Sequence, residues 1–361
     1  DITPSALSTT QVGVNIRQEQ VEALATPRTI QGIATLSPGL TEDTPNAGQV
    51  TISGAFAYDN LMMLDGVDIS DNLFGSANNL FIEDAIQDTQ VLTSGISAEY
   101  GRFTGGVINA VTKSGGNDFS GSFRLNLQNP AWIEETPFQE ESGTENNDQI
   151  NDTYEATFGG PIMRDRLWFF ASGRLANTAD NPTLPVTGAS FDAFDNNKRG
   201  EIKLTGTIAQ NHTIEGSYLN NSREVRRVAF AFSIDPNVLE EPSFPNDRFV
   251  TAWRGVLGSR LFGEAQYSRK TFGFRDAGGT ATDIVESPFI TLTQELGHYN
   301  APYFDATDPE DRNNQQITGS LSYAADWRGR HDIKGGTEWY QSNRTGGNSQ
   351  TATGFVFDAD Y

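Results

Sequence analysis

Asp65 and Asp68 stand close together in Leu61-Met62-Met63-Leu64-Asp65-Gly66-Val67-Asp68, near enough in sequence for two carboxylates to share acid–base work. Turn chemistry accounts for Asp65 better. Asp-Gly between two apolar runs is a hairpin signal, because Asp tolerates the left-handed conformation and Gly has no Cβ to clash. His212, His298 and His331 are scattered, without the paired spacing of a zinc site. Ser94 and Ser97 lack both a nucleophile-elbow pattern and a nearby His. No Gly-rich stretch opens a helix after a strand in the phosphate-binding pattern. The chain is therefore expected to have no catalytic residue, cofactor site or metal centre, and not to be an enzyme.

Acidic loops offer another kind of chemistry. Residues 130–155 hold Glu134, Glu135, Glu140, Glu141, Glu145, Asp148, Asp152 and Glu155 with no Lys or Arg. Asp305, Asp308, Glu310 and Asp311 form a similar group, as do Asp192 and Asp195 with Asn196. Such oxygens suit a hard cation like calcium. A solvated loop explains them better, and none keeps the spacing of a calcium-binding loop. The formal net charge of -22 argues against nucleic acid as a partner, since phosphate contacts need Lys and Arg. With no Cys there is neither a disulfide framework nor a thiolate metal site.

The elements that position these residues change character along the chain. Up to about residue 116 they are mixed α and β. Thr26-Pro27 suits a helix start, with a short helix following through Ile30, Ile33, Ala34 and Leu36 to Pro38-Gly39. Gln49–Ala57 alternates as a strand, the pair around Asp65-Gly66 reads as strand, turn, strand, and Leu80–Ile86 has the spacing of one short helix. Beyond Gly116, alternating segments at about 119–128, 153–160, 167–176, 200–209, 212–221, 249–257, 262–273, 315–325 and 332–341 read as strands. Their connections alternate long and short: 129–152 then 161–166, 177–199 then 210–211, 222–248 then 258–261, 274–314 then 326–331. Apolar runs such as Leu61–Leu64 and Leu167–Ala171 fall far short of the roughly 20 residues of a spanning helix. A β-barrel needs only alternate residues apolar, and it segregates short turns to one side and long loops to the other. An open sheet cannot sit in lipid, because each unpaired edge group costs several kcal/mol. The expected fold is thus a large antiparallel membrane β-barrel, of which about nine strands are present, with an N-terminal mixed α/β domain. Bacterial barrels close with an even strand number, and 355–361 reads as the start of another strand, so the chain is expected to be the N-terminal part of a longer protein.

Aromatic residues divide accordingly. Trp168, Phe169, Phe170, Trp253, Trp327, Trp339 and Tyr340 fall at strand ends and suit interfacial girdles. Trp132, Phe138, Phe230 and Phe232 fall in loops and are, with Asp68 and Asp71, the candidate substrate contacts.

An ordered set of motifs resembles the plug of TonB-dependent outer-membrane receptors. Leu61-Met62-Met63-Leu64-Asp65-Gly66-Val67 is similar to the apolar run ending in Asp-Gly. Ile82-Glu83-Asp84-Ala85-Ile86, Val91-Leu92, Tyr100-Gly101, Gly105-Gly106-Val107-Ile108-Asn109 and Thr112-Lys113 follow the motif that closes the plug. Gly159-Gly160-Pro161-Ile162 with Asp165-Arg166-Leu167-Trp168-Phe169-Phe170 resembles the first periplasmic turn of the Oar-like subgroup. The usual Arg-Gly-Pro before Tyr-Gly is replaced by Thr93-Ser94-Gly95, and no TonB box is recognisable ahead of Ser8. The resemblance implies a plug domain over 1–116 and a transmembrane barrel portion over 117–361, with long loops outside the cell. It implies plug contacts at Asp65, Gly66, Glu99, Tyr100, Gly101, Arg102, Gly105, Gly106 and Asn109. It further implies transport of an extracellular ligand driven by a TonB-type energy transducer. Outer-membrane lipid would surround the barrel, and a surface lipoprotein would be a further partner. The alternative is an adhesin or assembly protein that keeps the receptor fold without energised transport.

Overall fold

The computed structural model describes residues 12–24, 29–42, 49–71, 73, 75, 80–142, 146–184, 187–226, 239, 241–276, 289–290, 309–346 and 357–358. The N-terminal module contains β1 (Val12–Arg17), α1 (Gln18–Ala23), α2 (Ile30–Ala34), β2 (Leu40–Thr41), β3 (Thr51–Ile52), β4 (Leu61–Leu64), β5 (Val67–Asp68), β6 (Ile86–Ser94) and β7 (Val107–Thr112). Among the described residues its main sheet runs β1-β6-β7-β4-β5, with β4 and β7 parallel and the other neighbours antiparallel. β4 is buried on both faces, which is why it reads as an unbroken apolar run rather than an alternating one. Met62 and Leu64 join Ile30, Ile52, Ile69, Leu80 and Ile108 in the core on one side. Leu61 and Met63 pack with Leu92 and Val107 on the other.

Three local expectations change. α2 starts at Ile30 and ends at Ala34, its N-cap being Thr29, whose hydroxyl accepts the Gly32 amide at 3.0 Å; Thr26-Pro27 lies outside the described residues. Gln49–Ala57 is a strand only at Thr51–Ile52, because Ser53 and Gly54 both take positive φ and turn the chain. Leu80–Ile86 is a 3-10 turn at Glu83–Ala85 leading into β6. Leu80, Phe81 and Ile82 are all buried, so their burial is continuous and not the one-sided stripe of a helix.

The rest of the chain builds a wall from β8 (Ser120–Gln128), β9 (Asn151–Met163), β10 (Leu167–Asp180), β11 (Ala193–Ala209), β12 (His212–Arg226), β13 (Ser243–Val256) and β14 (Leu261–Phe274). β15 (Phe289–Ile290) forms a separate parallel pair with β18 (Phe357–Asp358), and β16 (Glu310–Asp326) and β17 (Arg330–Thr345) complete the wall. Among the described residues this is a 9-stranded antiparallel sheet, in sequence order throughout. α3 (Pro137–Ser142) lies in the loop between β8 and β9. The short turns place Asp165, Asn211 and Arg328 at positive φ, as tight hairpins demand.

All nine expected wall strands are present, and most run longer on the long-loop side. β16, for example, begins at Glu310 and not near 315. Its outward positions there are Asp311, Asn313 and Gln315, so the apolar alternation stops while the hydrogen-bond ladder continues. Lower down, outward positions carry Ile202, Leu204, Tyr218, Phe249, Ile317, Leu321, Tyr323 and Trp339, exposed on the sheet's outer face, with Tyr267 half-buried among them. Tyr218 pairs with Phe249 and Ile317 with Trp339, so the apolar positions line up across strands as a continuous band. Inward positions carry buried Arg199, Glu201, Lys203, Arg248, Lys270 and Arg312. Apolar outside and charged inside is the arrangement lipid selects. No described helix is long and apolar enough to cross a membrane. Two of the expected girdle aromatics face inward: Phe170 packs on Ile82 and Ala85 of the module, and the Tyr340 ring receives Arg102. Adjacent strand residues point to opposite faces, so Phe169-Phe170 and Trp339-Tyr340 must each divide between lipid and lumen.

Ile202→Arg places a charge in the outer band, further from the Trp168-Phe169 girdle than Leu204, and is expected to destabilise the folded barrel, by about 2–4 kcal/mol at mid-bilayer depth. A urea titration in lipid vesicles measures this; unchanged stability would show that this face does not meet lipid.

Candidate functional site

The sharpest local geometry in the module is the turn between β4 and β5. Asp65 has φ 51° and Gly66 φ 76°, and Leu64 pairs with Val67, which together make a two-residue hairpin of the primed type. Asn109 on the neighbouring β7 accepts the Gly66 amide at 3.3 Å. The Asp65 carboxylate accepts the Thr112 amide at 2.9 Å and the Thr112 hydroxyl at 2.8 Å. The turn therefore presents a held carboxylate to the wall.

The wall answers with cations. Arg248 on β13 has no exposed surface and lies 3.3 Å from Asp65 Oδ2 and 3.0 Å from Glu201. It also donates to the Leu64 carbonyl at 3.0 Å. Lys203 on β11 lies 3.6 Å from Asp65 Oδ1 and donates to the Thr112 hydroxyl at 2.9 Å. Gln266 on β14 donates to the Asp65 carbonyl at 3.0 Å. Burial pushes the Asp65 carboxyl up, but Arg248, Lys203 and the two Thr112 hydrogen bonds outweigh it and hold it below its ordinary value of 3.8.

From this turn the segment climbs the wall. Asn314 donates to the Asp68 carbonyl at 3.2 Å and Lys270 donates to the Ser70 carbonyl. Arg312 pairs with Asp71 at 2.9 Å and with Glu310 at 2.7 Å. Residues 64–71 are thus fastened by side chains of β11, β13, β14 and β16, mostly onto backbone oxygens. Asp68 lies on β5, the edge strand of the module's sheet.

A second grip lies at Glu99–Arg102. Arg102 has φ 61°, an uncommon conformation for a side chain of its size. Its guanidinium reaches Asp68 and Glu338, both at 2.9 Å, and sits 3.5 Å from the Tyr340 ring centroid. Burial lowers the Arg102 pKa, but Asp68 and Glu338 outweigh that and raise it. Glu99 pairs with Lys334 at 2.6 Å. Tyr100 packs on the Leu61 cluster, and burial, followed by the Glu99 charge, pushes its phenol up. At a third place Glu83 meets Arg174 and Arg199 at 3.2 and 3.4 Å, and Asp84 meets Arg124 at 2.8 Å.

The expected plug residues therefore fall into two groups, Asp65, Gly66 and Asn109 at one grip and Glu99, Tyr100, Gly101 and Arg102 at the other. Gly105 and Gly106 serve packing between them. A Cβ on Gly106 would lie 2.5 Å from Ile52 Cγ2 and 2.7 Å from the Leu92 carbonyl. Of the proposed ligand contacts, Asp68 and Asp71 are held by Arg102 and Arg312. Trp132 is exposed in the 3-10 turn Pro130–Trp132. Phe138 lies in α3 with its side chain outside the described residues, as are Phe230 and Phe232 altogether. Four members of the acidic groups weighed as cation sites are ion-paired within the protein. Glu155 pairs with Arg174, Asp195 with Arg223, Glu310 with Arg312 and Arg344, and Asp311 with Arg275. Asp305, Asp308 and Glu145 lie outside the described residues. Among the described residues no three His, Asp or Glu side chains gather as a metal site.

Arg248, Lys203, Lys270 and Arg312 are the functional residues that motif reading missed. Their signal was present: each is a cation on the inward side of an alternating strand, where an empty lumen would not require one.

Asp65→Ala leaves a buried guanidinium short of a partner, a loss of about 3–5 kcal/mol in seating the module. Hydrogen exchange across 107–112 is expected to accelerate strongly, and unchanged protection would contradict the geometry. In the unmutated chain, the contribution of a depressed carboxyl is complete above its unfolded value and disappears as pH falls through the folded one. The seating should thus hold at neutral pH and weaken only below pH 3.8, in step with Asp65 protonation.

Residues 5–108 match the TonB-dependent Receptor Plug Domain, and 111–187 match an outer membrane beta barrel domain. The TonB-dependent transporter Oar of Myxococcus xanthus is 35% identical over 253 residues, covering 64% of this chain and 23% of that protein. The siderophore receptor PirA from Acinetobacter baumannii superposes with TM-score 0.69 at 16% identity, over 92% of this chain and 48% of that one. The outer membrane transporter YddB from Escherichia coli gives TM-score 0.67 at 15% identity over the same 92% and 48%. The chain spans less than a quarter of the curated relative and about half of the solved receptors. Identities this low show the fold alone, whereas the plug match and the Oar likeness bear on descent. With a mixed-sheet plug seated on an outward-apolar barrel wall, the chain has the fold of TonB-dependent outer-membrane receptors and is similar in sequence to the Oar transporter over part of its length.

Proposed function

We propose that the chain supplies the plug, residues 1–116, and part of the barrel, residues 117–361, of an energised outer-membrane transporter. The observation that carries this reading is the chemistry of the plug–wall contact. Ion pairs and hydrogen bonds onto backbone oxygens make the grips around Asp65–Asp71 and Glu99–Arg102, and water can satisfy every one of those groups once they part, while Phe170 and Leu219 add limited apolar contact. An apolar seam would have no such substitute, so this interface suits repeated release and re-seating. Asp65, Gly66, Glu99, Tyr100, Gly101, Arg102, Gly105, Gly106 and Asn109 then act as gate residues and not as chemical ones.

In this reading an extracellular ligand binds between the plug apex and the long loops, and a TonB-type transducer pulls the plug from the periplasm. Asp68, Asp71, Trp132, Phe138, Phe230 and Phe232 are the proposed ligand contacts. The acidic balance of the loops favours a bulky or cation-bridged ligand over a small anionic chelate. Lipid of the outer membrane packs on the band around Leu204 and Tyr218, and a surface lipoprotein would cap the long loops. The similarity to a TonB-dependent transporter supports transport over adhesion.

Uptake by cells carrying the full-length protein should stop when the TonB-type partner is removed. Deleting 1–116 should instead leave a permanently leaky pore, seen as antibiotic sensitivity. Uptake lost on the deletion but indifferent to the transducer would contradict gated transport.

A further inference from the structure

The wall joins the two grips on the plug by an unbroken alternation of charge. Lys203, at the Asp65 grip, lies 3.6 Å from Asp65 and 3.5 Å from Glu215. Arg254 lies 4.0 Å from Glu215 and 3.6 Å from Glu264. Lys334 lies 3.5 Å from Glu264 and 2.6 Å from Glu99, at the other grip. These groups come from β11, β12, β13, β14 and β17, and Ser320 on β16 donates to Glu264 at 3.2 Å. Arg254 is the middle member. Among the described residues it makes no ion pair with the plug, and its charge lies between a carboxylate on each side.

From this arrangement we infer that Arg254 is a positioning residue that couples the two grips, and that it couples them antagonistically. The sign follows from the alternation. If Glu99 is released, Lys334 turns to Glu264, which draws Glu264 away from Arg254. Arg254 then favours Glu215, Glu215 loosens its hold on Lys203, and Lys203 is left to Asp65. Release at Glu99 therefore tightens Asp65, so the plug parts from the wall in two stages. Lys203 is buried while Arg254 is half-exposed, so the coupling is modest and weakens with salt. The inference rests on the plug being a gate, but its test needs no transport, so failure here and failure of uptake are separate results.

The test is hydrogen exchange of the full chain in lipid nanodiscs at low salt, read at residues 107–113, where the Thr112 amide is bonded to Asp65. Glu99→Gln should slow this exchange about twofold. The slowing should vanish in an Arg254→Met background, return with Arg254→Lys, and fade in high salt. A merely structural loss at Glu99 would instead speed exchange throughout the plug. Faster exchange at 107–113 in Glu99→Gln, or slowing that survives Arg254→Met, overturns the inference.

Discussion

A guanidinium removed from water needs a counter-charge and acceptors for its hydrogens, and Arg248 is such a group in the middle of the wall. Glu201 supplies one carboxylate from the wall itself, and Asp65 supplies the other from the plug. The rest of the architecture follows from meeting that requirement. The Asp-Gly turn aims the carboxylate, Asn109 and Thr112 on β7 hold the turn, and β4 is buried on both faces so that the turn cannot tilt. The wall strands carry inward polar residues because the plug brings polar partners to them, and outward apolar residues because lipid brings none.

Charge pairs of this kind give little net stability, since desolvation offsets most of their attraction. Their value here is registration. Leu64, Asp65, Asp68 and Ser70 each lend a carbonyl to a different wall side chain, which fixes the height of the plug against strands separated widely in sequence. Most apolar packing lies within the plug, around Met62, Leu64 and Ile108, and in the outer band, with Leu219 and Phe170 as the wall's apolar contacts to the plug. The larger part of the plug's core is thus made by the plug's own residues.

Much of this was legible in the residues. Period-two alternation located all nine wall strands, because lipid on one side and polar contacts on the other enforce it over long runs. It failed at the upper ends, where Asp311, Asn313 and Gln315 face water and the backbone ladder alone continues the strand. In the plug, short elements buried on both sides carry no periodic signal, so Leu80–Ile86 looked helical and Gln49–Ala57 looked extended. At the site, turn chemistry identified Asp65-Gly66, and the family motif marked Tyr100-Gly101. The partners on the wall did not emerge, since pairing Asp65 with Arg248, or Glu99 with Lys334, joins positions about two hundred residues apart and depends on register between strands. Two acidic partners were hidden for the same reason: neighbouring strands bring Arg344 beside Glu310 and Arg223 beside Asp195.

The account depends on Asp65 and Arg248 acting as a pair and not as two separate structural residues. A double-mutant cycle of Asp65→Ala and Arg248→Met, read as exchange protection across 107–112 in lipid, isolates their coupling. The predicted result is strong non-additivity, about 1–3 kcal/mol, with the double variant less perturbed than the sum of the single ones. Additive effects within a few tenths of a kcal/mol would contradict the claim that this pair sets the seat of the plug.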